Sequence, residues 1–165
     1  MKSPRINAFG IAILLVAGGG LAAGSQSSGP AQTQEVGDFA YHDHPPSEPL
    51  PKTLEPPAFS SSPKAHVAYC LASRVRDVLY QEPCFCHCNR FADHKSLLDC
   101  YTQDHGLTCY ACQAEAIFCF EKHSKGFTPE EIRKALYRDE WRSLNLDEYA
   151  HTFHEREQKG LNELR

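Results

Sequence analysis

Residues 82–90, EPCFCHCNR, place three cysteines and a histidine within five consecutive positions: Cys84, Cys86, His87 and Cys88. The chain has 165 residues and eight cysteines, and all of the cysteines fall between positions 70 and 119. A domain of this size buries little apolar area, and small domains commonly need disulfides, metal ions or oligomerisation to be stable. The use of these sulfurs therefore decides what kind of fold forms around them.

The residues upstream of this stretch predict one helix. Ser62 is a suitable N-cap, and Pro63 is favoured at the first helical position. Apolar residues between Val67 and Leu79 recur at helical spacing. The helix should end before Pro83, because the residue that precedes a proline resists the helical conformation.

Downstream of the stretch, two more helices are predicted. A short helix capped by Asp93 carries Cys100, and a longer helix runs from about residue 106 to residue 122. Gly126 can supply the left-handed residue that follows the end of the longer helix.

A capping box, formed by Thr128 and Glu131, opens a fourth helix. No segment shows convincing strand alternation. We therefore predict an all-α fold, in which a small Cys-rich domain of about four helices with an irregular Cys-rich loop spans residues 62–142. The polar residues 143–165 are predicted as a helical or frayed tail.

The N-terminus has the pattern of an export signal. Lys2 and Arg5 precede an uncharged apolar run that ends in small residues. We predict a signal peptide at residues 1–24, cleaved near Ala23 or Gly24; the alternative is an uncleaved segment that anchors the chain to the membrane. The protein is thus expected to be exported, in the periplasm or outside the cell, where disulfides can persist.

Residues 25–61 are polar, then Pro-rich, and are predicted to be a disordered linker. The whole chain has 17 basic and 21 acidic residues. This balance provides no basic surface for nucleic acid, so we exclude DNA and RNA as partners.

The spacing of the cysteines excludes several cofactors. Only Cys109 and Cys112 have the C-x₂-C form of a zinc motif. Gln113 stands where a c-type haem motif requires histidine, and no iron–sulfur spacing is matched. In the third predicted helix, six positions that follow one another at intervals of three or four residues lie on one face. They are His105, Cys109, Cys112, Ala116, Cys119 and His123, and all but Ala116 are ligand-type residues.

The segments PCFCHC, HKSLLDCY and HGLTCYAC resemble a bacterial family of exported proteins named for a PCYCGC or CYCxC motif. HPPSEPLPKTLEPPAF and EEIRKALYRDEWR extend this resemblance over residues 41–142. The family is uncharacterised; many members are lipoproteins and some are selenoproteins. The resemblance carries over to Cys84, Cys86, Cys88, His94, Cys100, His105, Cys109 and Cys112. This chain departs from the family in lacking a lipoprotein cysteine, in placing His87 inside the loop, and in adding Cys70 and Cys119.

Three uses of the thiols stay open. The first is a metal site, because clustered thiolates and imidazoles select Cu(I) or Zn(II). Its predicted ligands are Cys84, Cys86, Cys88, Cys100, Cys109, Cys112, His87, His94 and His105. A metal ion, copper or zinc, is the predicted partner, and a membrane is a partner only if the signal segment is uncleaved.

The second use is thiol–disulfide exchange, in which the start of a helix would lower the pKa of Cys109. The third is purely structural, with three disulfides joining the loop cysteines to Cys100, Cys109 and Cys112. A further disulfide is predicted between Cys70 and Cys119, because two extra thiols in an exported protein suggest a pair; the alternative is two separate buried thiols.

Overall fold

The computed structural model describes residues 33–36 and 39–160. The predicted signal peptide and its cleavage site lie outside these ranges. Two short antiparallel strands, β1 (Thr33–Val36) and β2 (Phe39–His42), precede the helices. The helices are α1 (Pro63–Ala72), α2 (Arg76–Tyr80), α3 (Asp99–Thr102), α4 (Tyr110–Ser124), α5 (Pro129–Tyr137) and α6 (Leu146–Gln158). The prediction of a small, all-α domain is confirmed, with a strand pair that was not predicted.

The longest helix, α4, lies at the centre of the core. It packs against α1, α2 and α5, and its buried face includes Cys112, Ile117 and Cys119. Tyr69 from α1 and Trp141 from the 3-10 turn Glu140–Ser143 are among the largest side chains in this core. Two other 3-10 turns, Cys88–Arg90 and His105–Leu107, lie on the loops that carry the predicted ligands.

The first predicted helix is two helices. At Arg74 and Val75 the backbone N–H groups bond to carbonyls three residues back, so the chain turns more tightly and α1 ends. The second predicted helix is shorter than expected, and Asp93 does not cap it. Instead, the carboxylate of Asp99 accepts hydrogen bonds from the backbone of Lys95 and Ser96 and holds the entry to α3.

The fourth predicted helix begins as its sequence indicates. The Thr128 hydroxyl accepts from the backbone N–H of Glu131, and the Glu131 carboxylate accepts from the backbone N–H of Thr128. Gly126 has φ 87°, the left-handed conformation predicted for it. The residues after Trp141 form a regular helix, α6, whose Leu146, Ala150 and Phe153 are buried because they share one face.

The predicted disorder of residues 25–61 is wrong for residues 39–61, which lie against the helices. Tyr41 is buried, and the Arg133 guanidinium lies 4.4 Å from its ring centroid. The backbone N–H of Leu54 donates to the carbonyl of Tyr101 at 2.8 Å. A proline-rich segment is already restricted when unfolded, so it loses less conformational entropy when it packs.

Within the described ranges, no helix is long and apolar enough to cross a membrane.

Candidate metal centre

The Cys-rich loop is fixed by its backbone and by Phe85. The Phe85 N–H donates to the Glu115 carboxylate at 3.0 Å, and its ring lies 4.4 Å from that of Phe39. The carbonyl of Glu82 accepts from the Leu97 N–H at 2.8 Å, which ties the start of the loop to the segment before α3. The chain turns at Phe85 and Cys86, where the His87 N–H donates to the carbonyl of Cys84 at 3.3 Å. Phe85 therefore anchors the loop while its neighbours Cys84 and Cys86 turn toward the sulfurs of other elements.

Four ligand-type side chains meet where the loop approaches the start of α4. We call them the outer group: Cys86, His105, Cys109 and Cys112. Their ligand atoms all lie within 4.8 Å of one another. The Cys86 Sγ atom lies 3.4 Å from His105 Nε2 and 3.8 Å from Cys112 Sγ. Cys109 is the N-cap of α4 and Cys112 lies in its first turn, so the C-x₂-C spacing puts both thiols at one helix end.

Three fully buried thiols form a second, inner group: Cys84, Cys88 and Cys100. Their sulfurs also lie within 4.8 Å of one another, and the Sγ atoms of Cys88 and Cys100 are 3.5 Å apart. His94 Nδ1 lies 3.4 Å from Cys100 Sγ. His94 is 2% exposed, so it is buried beside the inner group rather than at its rim.

The two groups form one continuous cluster of six thiols. Cys84 Sγ lies 3.3 Å from Cys86 Sγ and 3.4 Å from Cys112 Sγ, which joins the inner group to the outer group. The structure thus brings together every predicted ligand except His87. The ring of His87 stacks on Phe39 with a centroid distance of 4.5 Å, and His87 belongs to neither group. Its role is conformational, because its φ of 60° forms the turn between Cys86 and Cys88.

Contacts among the thiols lower the pKa of two sulfurs in the cluster. For Cys86 the largest contribution is the contact with Cys100, followed by that with Cys109, and its pKa lies below the ordinary value. Hydrogen bonds from Cys112 and Cys84 lower the pKa of Cys100 to about 3. The thiolate is the form of cysteine that binds a metal ion or attacks a disulfide.

Cys109 is not the low-pKa thiol that the thiol–disulfide interpretation required, and that prediction is wrong. The hydrogen bond with Cys112 lowers the pKa of Cys109, but the neighbouring Cys86 and burial outweigh it. The pKa of Cys109 therefore lies above its ordinary value. The contacts among the thiols favour the negative charge on Cys86 instead.

Two buried glutamates beside the cluster were missed from the sequence. Glu115 and Glu82 are both 0% exposed, and burial raises the pKa of each carboxyl well above its ordinary value. Neither carboxyl oxygen of Glu82 has a hydrogen-bond partner within the described part of the chain. Glu115 could have been found, since it lies three residues after Cys112 and four before Cys119, on the thiol face of α4. No comparable signal exists for Glu82.

The predicted Cys70–Cys119 disulfide is not formed, and both thiols are free. Cys119 is fully buried in α4, where burial and then the Glu82 carboxyl raise its pKa well above the ordinary value. The sulfur of Cys70 lies 3.7 Å from His66 Nε2, and Cys70 is half-buried next to Glu157. The two thiols thus have different surroundings.

Backbone oxygens around the cluster are bonded to buried tyrosines. Tyr101 donates to the carbonyl of Cys112 at 2.6 Å, and Tyr69 donates to that of Gln103 at 2.8 Å. These bonds fix the start of α4 and the end of α3, and thereby the positions of the thiols on them.

No family model, curated protein or solved structure matches this chain. The function is therefore argued from the site.

Proposed function

We propose that this protein binds a soft metal ion, Zn(II) or Cu(I), through its cluster of six thiols. The observation that carries the proposal is the outer group, in which three sulfurs and one imidazole nitrogen lie within 4.8 Å of one another. The four residues come from the Cys-rich loop, a 3-10 turn and the start of α4. Because these elements are separate in the sequence, it is the fold that brings the four side chains together.

The distances in the outer group support tetrahedral coordination. With Zn–S bonds of about 2.3 Å and Zn–N bonds of about 2.05 Å, a tetrahedron has S···S edges of about 3.8 Å and S···N edges of about 3.6 Å. The corresponding distances are 3.8 Å for Cys86 to Cys112 and 3.4 Å for Cys86 to His105. An ion could therefore enter this group with only small movements of its side chains.

The ligand types in the two groups indicate which metal ion each group would bind. Three thiolates and one imidazole are a common closed set for zinc. The inner group offers three thiols in a buried site, and sulfur ligands form a soft environment that suits Cu(I). Because Cys84 contacts sulfurs of the outer group, its thiolate could also bridge two ions. Zinc in the outer group is the simplest occupancy that the geometry supports.

Titration of the reduced, metal-free chain with Co(II) tests the proposal, since cobalt reports tetrahedral thiolate ligation by its absorption. We expect sulfur-to-cobalt charge-transfer bands, intense d–d bands, and displacement of the cobalt by Zn(II). The variant Cys86→Ser should lose most of this absorption. Cu(I), presented with a competing chelator, should be tested in the same way.

The control is Cys119→Ala, which removes a buried thiol from α4, the helix that carries Cys112, but outside both groups. It should leave the cobalt spectrum unchanged. Equal binding by wild type, Cys86→Ser and Cys119→Ala would show that the outer group is not the metal site. Weak binding by all three proteins would reject metal binding altogether.

Thiol–disulfide exchange is a second candidate, favoured by the short contacts between sulfurs. Cys84 and Cys112 are 3.4 Å apart, and Cys88 and Cys100 are 3.5 Å apart. Small movements would bring these pairs to bonding distance, and Cys86 is a half-buried thiol with a lowered pKa. The same pairs support the purely structural use of the cysteines as disulfides. Alkylation and metal titration of the same reduced protein separate the candidates, because a protein that only exchanges disulfides should react fastest at Cys86 while its binding of Co(II) and Zn(II) stays weak.

We also propose that the protein acts outside the cytoplasm, in the periplasm or beyond. The support is the sequence pattern of Lys2 and Arg5 before an apolar run, together with the resemblance to the exported PCYCGC-motif family. An oxidising compartment would make the redox state of the six-thiol cluster important for metal binding. Cell fractionation, with the mass of the mature chain, tests this location.

A further inference from the structure

A third group of ligand-type side chains lies where α6 packs on α1. It consists of His66, Cys70 and Glu157, and none of these residues belongs to the six-thiol cluster. His66 and Cys70 are four residues apart in α1, so they lie on the same face of that helix. Glu157 comes from the last turn of α6. The three ligand atoms lie within 4.8 Å of one another.

The imidazole of His66 is oriented by the backbone. Its Nδ1 atom lies 2.8 Å from the carbonyl oxygen of Pro57. A carbonyl can only accept a hydrogen bond, so Nδ1 carries a proton and donates it. In the neutral ring, Nε2 then has a free lone pair, and this atom faces both Cys70 and Glu157. A backbone carbonyl that fixes the ring in this way is a common feature of histidines that bind metal ions.

The distances match the edges of a small coordination tetrahedron. His66 Nε2 lies 3.3 Å from Glu157 Oε2 and 3.7 Å from Cys70 Sγ. Zinc bonds of about 2.05 Å to nitrogen, about 2.1 Å to oxygen and about 2.3 Å to sulfur give N···O and N···S edges of about 3.4 and 3.6 Å. An ordinary ion pair between His66 and Glu157 would account for the first distance, and the helical spacing of four residues brings the thiol beside both groups.

We infer that His66, Cys70 and Glu157 form a separate site for a Zn(II)-like divalent cation. One nitrogen, one sulfur and one oxygen are donors that Zn(II) accepts together. Three protein ligands leave the fourth position of a tetrahedron open to water or another ligand. All three residues are half-buried, so an ion can enter from solvent. Since two ligands are on α1 and one is on α6, the bound ion would fasten the C-terminal helix to the domain.

This inference does not depend on the proposed function of the six-thiol cluster, and one experiment separates the two sites. The reduced full-length chain is titrated with Zn(II), and the bound ions are counted by native mass spectrometry. Cys70→Ser should bind one zinc ion fewer than wild type, whereas Cys86→Ser should keep that ion. In wild type, zinc should also slow hydrogen exchange in residues 146–158, and this slowing should be lost in Cys70→Ser.

Glu157→Gln is the second variant, because it replaces a partly exposed side chain and should fold. It should weaken binding at this site by at least about tenfold. The control is His151→Gln, which removes an exposed imidazole from the same helix and should change neither the zinc count nor the exchange. An equal zinc count in wild type, Cys70→Ser and Glu157→Gln, with no effect of zinc on α6 in any of them, would overturn the inference.

Discussion

His105 Nε2 lies 3.4 Å from Cys86 Sγ, although 19 positions separate the two residues in the chain. This contact requires the 3-10 turn His105–Leu107 to lie close against α3. Gly106 permits the approach, because a Cβ atom at this position would lie 3.0 Å from the carbonyl oxygen of Cys100 and 3.1 Å from the ring of Tyr101. The imidazole of the outer group therefore depends on the glycine that follows it.

Gly106→Ala should weaken both the fold and zinc binding. The added methyl group collides with backbone, which cannot move as easily as a flexible side chain, and such overpacking costs about 1–3 kcal/mol. The turn should shift and carry His105 away from Cys86. Urea denaturation and zinc titration of the same variant measure the two effects.

Gly126→Ala is the control for this prediction. Gly126 has φ 87° with nothing within 4 Å of an added Cβ, so alanine there is strained but meets no neighbour. It should reduce the free energy of unfolding by about 1–2 kcal/mol and leave zinc affinity unchanged. Equal loss of zinc affinity in both variants would mean that the effect of Gly106→Ala is only general destabilisation.

Zinc should stabilise the reduced protein through His105. An ion that binds only the folded state at 100 times its dissociation constant raises the free energy of unfolding by about 2.7 kcal/mol. His105→Gln removes one ligand of the outer group and should remove most of this gain. Thermal unfolding with zinc and with chelator measures it. His123→Gln is the control, since His123 is exposed near the end of α4, and a similar loss in that variant would contradict the role of His105.

The sequence predicted the cluster because the signals were local. The C-x-C-x-C spacing, the C-x₂-C pair and the helical stripe after His105 each follow from a few neighbouring residues. What the sequence did not predict depends on distant contacts. Glu82 is an ordinary charged residue in the sequence, and its burial results from packing against other elements. Counting thiols pairs Cys70 with Cys119. In the structure, Cys70 lies near Glu157, which belongs to the polar tail, and the sequence pattern did not predict that the apolar residues of this tail pack on the domain.

Mild oxidation should join specific pairs of cysteines. The closest sulfurs from different segments are Cys84 with Cys112 and Cys88 with Cys100. Of the remaining cluster thiols, Cys86 has Cys109 within 4.8 Å. We expect these three bridges, with Cys70 and Cys119 left as free thiols. Peptide mapping without reduction identifies them.

Bound zinc should slow this oxidation, because coordinated thiolates are not free to react. A chief product that links Cys84 to Cys86 within the loop would contradict the expected pairing. So would a bridge that includes Cys119, since that thiol is fully buried and separate from the cluster. The rate with and without zinc, followed by a thiol reagent, gives the second measurement.

Glu82→Gln should stabilise the protein increasingly as the pH rises. Burial raises the pKa of the Glu82 carboxyl in the folded state well above its ordinary value, although Arg133 opposes the shift. Above the unfolded pKa of about 4.3, the folded state therefore holds more protons than the unfolded state, and this residue makes stability fall as the pH rises. Glutamine cannot ionise, so the variant lacks that loss. Urea denaturation of reduced, zinc-free protein at about pH 5 and about pH 8 measures the difference from wild type.

The control for Glu82→Gln replaces a glutamate whose carboxyl pKa is shifted in the opposite direction. Glu130 is fully exposed, and its hydrogen bond with Lys134 lowers the pKa of its carboxyl. An ionised Glu130 therefore favours the folded state at pH values above its unfolded pKa, and Glu130→Gln should lose a small stabilisation there. The two variants should thus differ from wild type in opposite directions at pH 8. If Glu82→Gln is no more stable relative to wild type at pH 8 than at pH 5, Glu82 must be ionised in the folded protein. Arg133, which already opposes the rise in its pKa, would then compensate its charge, since an uncompensated buried carboxylate is strongly unfavourable.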